Sequence, residues 1–222
     1  MFRKIGVFLL GIVGIASIAL KIYLIKTRPT SLPTNNIILQ QFNVASVIDG
    51  DTFKISDGRR VRLMGIDTPE LRRCLADEAK EKLTTLILGK NVILKDQFSD
   101  PYGRIMANVF VGDDYINKEM ICSGLARMDY YENPHRGELK IAYAQARENK
   151  LGIFSGICTS LNPPVSCTIK GNVDDNTQKK YYYLSTCKNY AQVVIDLSTA
   201  DQWFCTEKEA VQAGFVKTES CQ

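Results

Sequence analysis

The stretch Val47-Ile-Asp-Gly-Asp-Thr-Phe-Lys-Ile-Ser-Asp-Gly-Arg-Arg-Val-Arg-Leu-Met-Gly-Ile-Asp-Thr-Pro-Glu70 decides how the rest of the chain is read. Asp57-Gly58 is a two-residue hairpin signal, because a tight turn between strands needs residues that tolerate positive φ. It sits between Thr52-Phe-Lys-Ile55 and Arg60-Val-Arg-Leu-Met-Gly-Ile66, two runs of strand-forming character. The pairing carries Asp49-Gly50-Asp51-Thr52 and Asp67-Thr68-Pro69-Glu70 to neighbouring strand ends and so gathers up to four carboxylates. Carboxylates that close raise one another's pKa unless a cation lies between them. A hard, oxygen-preferring ion such as Ca²⁺ is the natural occupant.

Working outward, Phe42, Val44 and Val47-Ile48 alternate as a preceding strand. After Pro69, residues 75–88 suit a helix, with Leu75, Ala79, Leu83 and Leu86-Ile87 on one stripe and Gly89 as its stop. Val92-Ile-Leu94 reads as a strand, Asp100-Pro-Tyr-Gly103 as a turn, and Arg104 to Phe110-Val111 as the next strand. Two helices follow, Ile116–Ser123 and Glu138–Lys150, the second with Leu139, Ala142, Tyr143 and Ala146 facing inward. Strands come first and helices are added later, which predicts an α+β fold with a small antiparallel barrel.

The 222 residues carry a formal charge of +4, but its distribution removes a globally basic coat. Residues 1–28 hold Arg3, Lys4, Lys21, Lys26 and Arg28 and no acid, so the whole basic excess lies there. Residues 29–158 balance 17 basic against 17 acidic side chains. Apolar residues at 45% and charged residues at 23% describe a globular chain rather than a disordered one.

Ile5 to Leu20 are uncharged and mostly apolar. At ~1.5 Å per residue they reach about 24 Å, short of a ~30 Å hydrocarbon core. Extension to Ile25 spans it but includes Lys21, which can snorkel to the interface. Two readings of residues 1–28 stand: a signal peptide cleaved after Ala16 or Ala19, and an uncleaved hydrophobic helix that anchors the chain in a membrane. The apolar, basic Leu20-Lys-Ile-Tyr-Leu-Ile-Lys26 favours the anchor. Residues 29–36 form a Pro-containing polar linker, residues 37–158 the main domain, and residues 165–222 a small module behind Asn162-Pro-Pro164.

Seven cysteines are dense for a reducing compartment, and with no Cys-x-x-Cys and a single His135 the zinc spacings are missing. Disulfides in an exported protein are the consistent reading, with one thiol left over. About 58 residues make a small unaided core, so bridges are expected in the module. There Thr206 with Glu209 forms a capping box over a short helix.

Val47–Ile55, Val61–Glu70, Asp100-Pro-Tyr-Gly-Arg104 and Ile116-Asn to Gly124-Leu-Ala-Arg127, in that order, resemble the staphylococcal nuclease (thermonuclease) family. The resemblance covers about residues 40–155. It implies an OB-fold, five-stranded β-barrel with three helices and a Ca²⁺-dependent hydrolysis of phosphodiesters. By position in those motifs, Asp51, Asp67 and the Thr68 carbonyl would hold Ca²⁺. Glu70 would orient or deprotonate the attacking water, and Arg62 and Arg104 would bind the scissile phosphate. Tyr102 and Tyr130 would contact substrate, and Asp49 would support Asp51 rather than ligate. The segment after Glu70 is short, with Leu71-Arg-Arg-Cys74 leading directly into the helix, and Pro101 stands where a basic residue is common; Arg72 and Arg73 are placed to replace it. His135 reads as structural, and Cys122 has no partner that would make it a nucleophile.

The tail from Cys167 through Cys187 and Trp203-Phe-Cys205 to Cys221 resembles a small module, the sunset domain, fused behind such nucleases in bacterial envelope proteins. The expected bridges are Cys187–Cys205, Cys167–Cys221 and Cys74–Cys158. The resulting expectation is a monomeric, exported or membrane-anchored endonuclease of low sequence specificity acting on DNA, RNA or both. Its alternative is a catalytically weak envelope protein that uses the same fold as a nucleic-acid-binding or structural module.

Overall fold

In the computed structural model, which describes residues 40–129, 131–174 and 177–221, Asp57-Gly58 turns the chain between β2 (Thr52–Ile55) and β3 (Arg60–Leu63). Gly58 has φ of 89°, the left-handed value that the tight turn requires. β1 (Gln41–Val47) pairs antiparallel with β2 on one side and with β5 (Asn91–Ser99) on the other. β5 pairs antiparallel with β6 (Ile105–Val111), the longest contact in the sheet. β3 and β6 then meet in parallel, with Arg62 opposite Met106, and close five strands into a barrel. The five-stranded barrel is the one expected, closed by this one parallel pair. The pair brings together strands about forty residues apart, a register that no local pattern announces.

The barrel interior is filled by Phe53, Ile55, Val61, Leu63, Val92 and Val109, all at most 1% exposed. Short strands β4 (Ile66–Asp67) and β8 (Arg127–Met128) pair beside it, so Asp67 stands opposite Arg127. Three helices cover the barrel: α1 (Ala76–Ile87), α2 (Ile116–Cys122) and α3 (Arg136–Glu148). α1 buries Ala76, Ala79, Leu83 and Ile87, the 3–4 spacing of one helical face. Leu83 alone, fully buried, contributes roughly 2–3 kcal/mol of transfer free energy. Leu75 is not in the stripe: it is the residue before the helix and adopts φ of 63°.

Asn117, 0% exposed, ties α2 to the barrel. Its Nδ2 donates to the carbonyls of Met64 and Ala107, at 2.8 and 3.1 Å, and its Oδ1 accepts from the Val109 amide at 3.0 Å. Both of its donors and its oxygen are bonded to the backbone, which is what lets a buried amide stabilise a fold. His135 has Nδ1 3.0 Å from Glu138 and its ring against Tyr115 and Phe110.

The C-terminal part forms a four-stranded sheet in the order β13–β10–β11–β14. Its strands are β10 (Ile169–Val173), β11 (Lys180–Tyr183), β13 (Gln202–Phe204) and β14 (Val216–Lys217). α4 (Glu207–Gln212) carries the expected capping box of Thr206 and Glu209. The small core is Ile169, Tyr182, Phe204, Ala210 and Phe215. Gly171 is required there, since a Cβ would stand 2.4 Å from the Phe204 ring.

Two disulfide pairings differ from expectation. Cys167 joins Cys205 and Cys187 joins Cys221, not Cys187–Cys205 and Cys167–Cys221. Register explains both. Ile169 opposes Phe204 in the β10–β13 pair, so the cysteines just beyond them meet. β14 runs parallel to β11, so the segments following the two strands emerge together and bring Cys221 to Cys187. The Cys74–Cys158 bridge is present, and Cys122 is free.

That bridge marks where the C-terminal part meets the barrel. β12 (Ile195–Asp196) pairs with β9 (Thr159–Ser160). The next residue, Leu197, donates to the Cys158 carbonyl at 2.8 Å and accepts from the Cys74 amide at 3.1 Å. Trp203 Nε1 donates to Ser160 Oγ at 2.9 Å. Among the described residues no helix is long and apolar enough to cross a membrane; the expected leader helix lies outside them.

Candidate active site

The turn that leads into β2 buries Asp51, which is 2% exposed. A buried carboxylate must be paired or hydrogen-bonded, and Asp51 is both. Its Oδ1 accepts from Thr52 Oγ1 at 2.9 Å and from Arg62 Nη1; its Oδ2 accepts from the Thr68 amide and Thr68 Oγ1, each at 3.2 Å. Asp49 Oδ1 accepts from the Asp51 amide at 3.2 Å, consistent with a supporting position. Gly50 makes the arrangement possible, because a Cβ would lie 2.6 Å from Thr68 Oγ1 and 2.7 Å from Ala79 Cβ.

Arg62 points along β3 at the same place. Its Nη2 donates to Asp67 Oδ1 at 2.7 Å, so one guanidinium spans Asp51 and Asp67. Asp67 is half-exposed, whereas Arg62 is mostly covered. Burial pushes the Asp51 carboxyl up to about 7, with Asp49 and Asp67 adding to the rise and Arg62 opposing it. For Arg62, burial works against the charge, but Asp51 and Asp67 outweigh it and hold the guanidinium above its ordinary range. Thr68 is buried and Glu70, two residues on, is exposed. Of the residues singled out in the sequence, the structure brings Asp51, Arg62, Asp67 and Thr68 into contact, with Glu70 beside them.

Two cavities open from this cluster. One, about 440 Å³, is lined by Arg62, Asp67, Arg127, Asp129, Tyr131 and Tyr143. The other, about 350 Å³, lies on the Glu70 side. Arg104 and Tyr102 do not line either; with Arg60 they border a third cavity of about 360 Å³. Val61 opposes Ile105 across the closing strand pair, which sets Arg104 beside Arg60, two residues from Arg62. Asp100 fixes Arg104, accepting from its Nε at 2.7 Å and its amide at 2.9 Å, and the guanidinium lies over the exposed Tyr102 ring at 5.4 Å. Tyr130 lies outside the described residues; its neighbour Tyr131 is exposed and lines the first cavity.

Known proteins place this arrangement. A family model described as staphylococcal nuclease homologue matches residues 60–156. An uncharacterized endonuclease of Escherichia coli is 32% identical over 118 residues, covering 50% of this chain and 75% of the relative. The thermonuclease of Staphylococcus hyicus is 32% identical over 123 residues, covering 50% and 73%. That of Staphylococcus intermedius is 33% identical over 132 residues, covering 52% and 76%. The chain belongs to the staphylococcal nuclease family.

In this staphylococcal nuclease homologue the oxygen set of Asp51, Asp67 and the Thr68 carbonyl has the chemistry that a hard cation accepts. Among the described residues no group of three or more His, Cys, Asp or Glu side chains could hold a metal ion. A cation at this place would thus rest on two carboxylates, completed by backbone carbonyl and water.

Four residues at the site, Arg127, Asp129, Asp196 and Ser198, had no assigned role in the sequence reading. Arg127 donates through Nη2 to Asp196 and, at 2.8 Å, to Ser198 Oγ, both in the C-terminal part. Asp129 has a buried Oδ2 with no hydrogen-bond partner among the described residues, and burial pushes its carboxyl up to about 6. The only signal for Arg127 was its place at the end of the Gly124-Leu-Ala-Arg127 motif. Nothing local marks Asp196, 69 residues away from it.

Proposed function

We propose that this staphylococcal nuclease homologue is a Ca²⁺-dependent phosphodiesterase that cleaves DNA, RNA or both internally and with low sequence specificity, outside the cytoplasm. The observation that carries the reading is the single guanidinium of Arg62 spanning Asp51 and Asp67 beside an exposed Glu70. Relatives named endonuclease and thermonuclease support the reaction class.

Asp51, Asp67 and the Thr68 carbonyl would hold Ca²⁺, which when bound supplies positive charge against a phosphodiester. Glu70, exposed at the cavity edge, acts as the base that orients and deprotonates water. Arg62 presents its charge to the phosphate from a fixed position, since two carboxylates hold its plane. Arg104, held by Asp100, offers a second planar donor pair suited to phosphate oxygens. Charge accumulating on the phosphoryl oxygens in the transition state is met by donors that do not have to reorganise.

Three disulfides support an oxidising compartment. Residues 1–28 supply the export signal or membrane anchor in this reading. The test is cleavage of single-stranded and duplex DNA and of RNA by the purified protein, in millimolar Ca²⁺ and in excess chelator. Shortening of substrate only with Ca²⁺ is the expected result, and intact DNA and RNA in both conditions would end the proposal.

A further inference from the structure

The cavity on the Glu70 side has two walls of different origin. Thr68, Glu70 and Arg73 form one; Val173, Ser198 and Ala200, from the C-terminal module, form the other. Asp67 and Arg127 border both this cavity and the larger one that Tyr131 and Tyr143 line. A path from one cavity to the other therefore crosses Asp67 and Arg127. At about 350 Å³ the module-walled cavity falls in the ligand-sized range of about 300–1,000 Å³.

The module wall is held in place. Ser198 is buried; its Oγ accepts from Arg127, and its amide donates to Asp196 Oδ1 at 2.9 Å. Leu197 is bonded through its backbone to both residues of the Cys74–Cys158 bridge. Charge lines the opposite side. Arg127 is met by Asp196, but among the described residues Arg73 forms no salt bridge, so its charge is open to an anion. The family model ends at residue 156, so this wall is not part of the shared nuclease framework.

We propose that the C-terminal module is half of a nucleotide subsite. One strand would pass from the tyrosine-lined cavity across Asp67 and Arg127 and continue between Arg73 and the Ser198–Ala200 segment. This rests on the nuclease reading of the site and adds to it a second wall, supplied by the module, along which a single or locally unpaired strand would run. A cavity of one-nucleotide size walled on both sides accepts a lone backbone with its base, whereas a stacked base pair needs an open groove. Successive aromatic faces and cations along one strand are the features that sequence-tolerant single-strand binding uses.

Ala200 is the point to test, since its methyl group can be replaced from the module side. Binding of a fluorescent eight-nucleotide phosphorothioate DNA strand to the full chain is followed by anisotropy in Ca²⁺ buffer. Ala200→Trp fills the cavity and should weaken binding ten-fold or more. Ala200→Lys adds a cation at the same spot; it should tighten binding and steepen the slope of log K against log salt by about 0.7, the value for one further single-strand phosphate contact. A hairpin duplex of the same sequence should bind at least ten-fold more weakly than the single strand. If Ala200→Trp fails to fold, the opposite-signed effect of Ala200→Lys carries the test.

Affinities within two-fold of the parent for both variants, or a duplex that binds as tightly as the single strand, would overturn the subsite. Cleavage is not the readout, so the two ideas separate. A chain that binds with these signs but leaves nucleic acid intact loses the nuclease reading and keeps the subsite. One that cleaves but ignores residue 200 does the reverse.

Discussion

Arg62 donates through Nη1 to Oδ1 of Asp51, a carboxylate that is only 2% exposed. The pair is part of the fold as well as of the site. Removing one partner of a buried ion pair costs roughly 3–5 kcal/mol, because the charge left behind is uncompensated. Asp51, with its carboxyl already raised to about 7, can escape that penalty by taking up a proton. Arg62 lowers the Asp51 pKa, so Arg62→Ala raises it further. Below about pH 5 the acid is neutral in parent and variant, and the cost of the substitution is small. Above pH 7 the folded variant must either bury an unpaired charge or hold a proton that the unfolded chain has lost. Urea unfolding of Arg62→Ala should therefore show a deficit at pH 8 that shrinks by at least half at pH 5; equal deficits at both would contradict it.

Asp129 supplies a second pH dependence, and here the sign favours substitution. Burial lifts its carboxyl to about 6, and Oδ2 lacks a hydrogen-bond partner among the described residues. The folded chain binds a proton that the unfolded chain releases near pH 3.9, so the penalty is absent at low pH and complete above about pH 6. Asp129→Asn should raise stability at pH 8 by ~2 kcal/mol, after allowance for partial exposure, and leave it unchanged at pH 3.5. Chemical denaturation across that range checks the sign.

Glu70→Gln separates chemistry from folding. Glu70 is exposed, so the isosteric amide should change stability by no more than ~0.5 kcal/mol. Loss of the proposed base should lower the cleavage rate by about 10²–10⁴-fold. A variant as active as the parent would remove Glu70 from the mechanism while leaving the fold reading intact.

The Cys74–Cys158 bridge closes a loop of sequence separation 84. Loop-closure entropy for that length corresponds to about 4–5 kcal/mol. It also ties down the segment after Glu70, where Arg72 and Leu75 adopt φ of 71° and 63°, values that L residues avoid. Cys74→Ser with Cys158→Ser should lower the urea midpoint and speed proteolysis between residues 70 and 76. Peptide mapping of the parent without reduction should recover Cys167 linked to Cys205, Cys187 linked to Cys221, and Cys122 alkylated.

How much of this was legible beforehand follows from distance along the chain. Asp51, Arg62 and Asp67 were legible because a two-residue turn joins their strands, so a local signal set their proximity. α1 was legible from its stripe, although Leu75 fell outside it, since residues 71–75 turn too sharply to be helical. The β3–β6 closure, the Asn117 ties and the Arg127–Asp196 pair were not legible. Each joins segments that periodicity treats separately. Disulfide pairing failed in the module for the same reason: cysteine spacing carries no register, and the register of β10 against β13 decides the partner of Cys167.

The long reach of the Cys74–Cys158 bridge also orders events in time. The barrel is complete once Val111 has been made, since β6 is its last strand. At ~5–20 residues per second of synthesis, Cys158 follows Cys74 by about 4–17 s, and Asp196 and Ser198 come later still. During that interval the segment after Glu70 has neither its covalent tie nor the Leu197 backbone that clasps it. The part of the molecule nearest the proposed chemistry is thus assembled after the barrel, and its completion waits on Cys158, on residues 196–198 and on an oxidant.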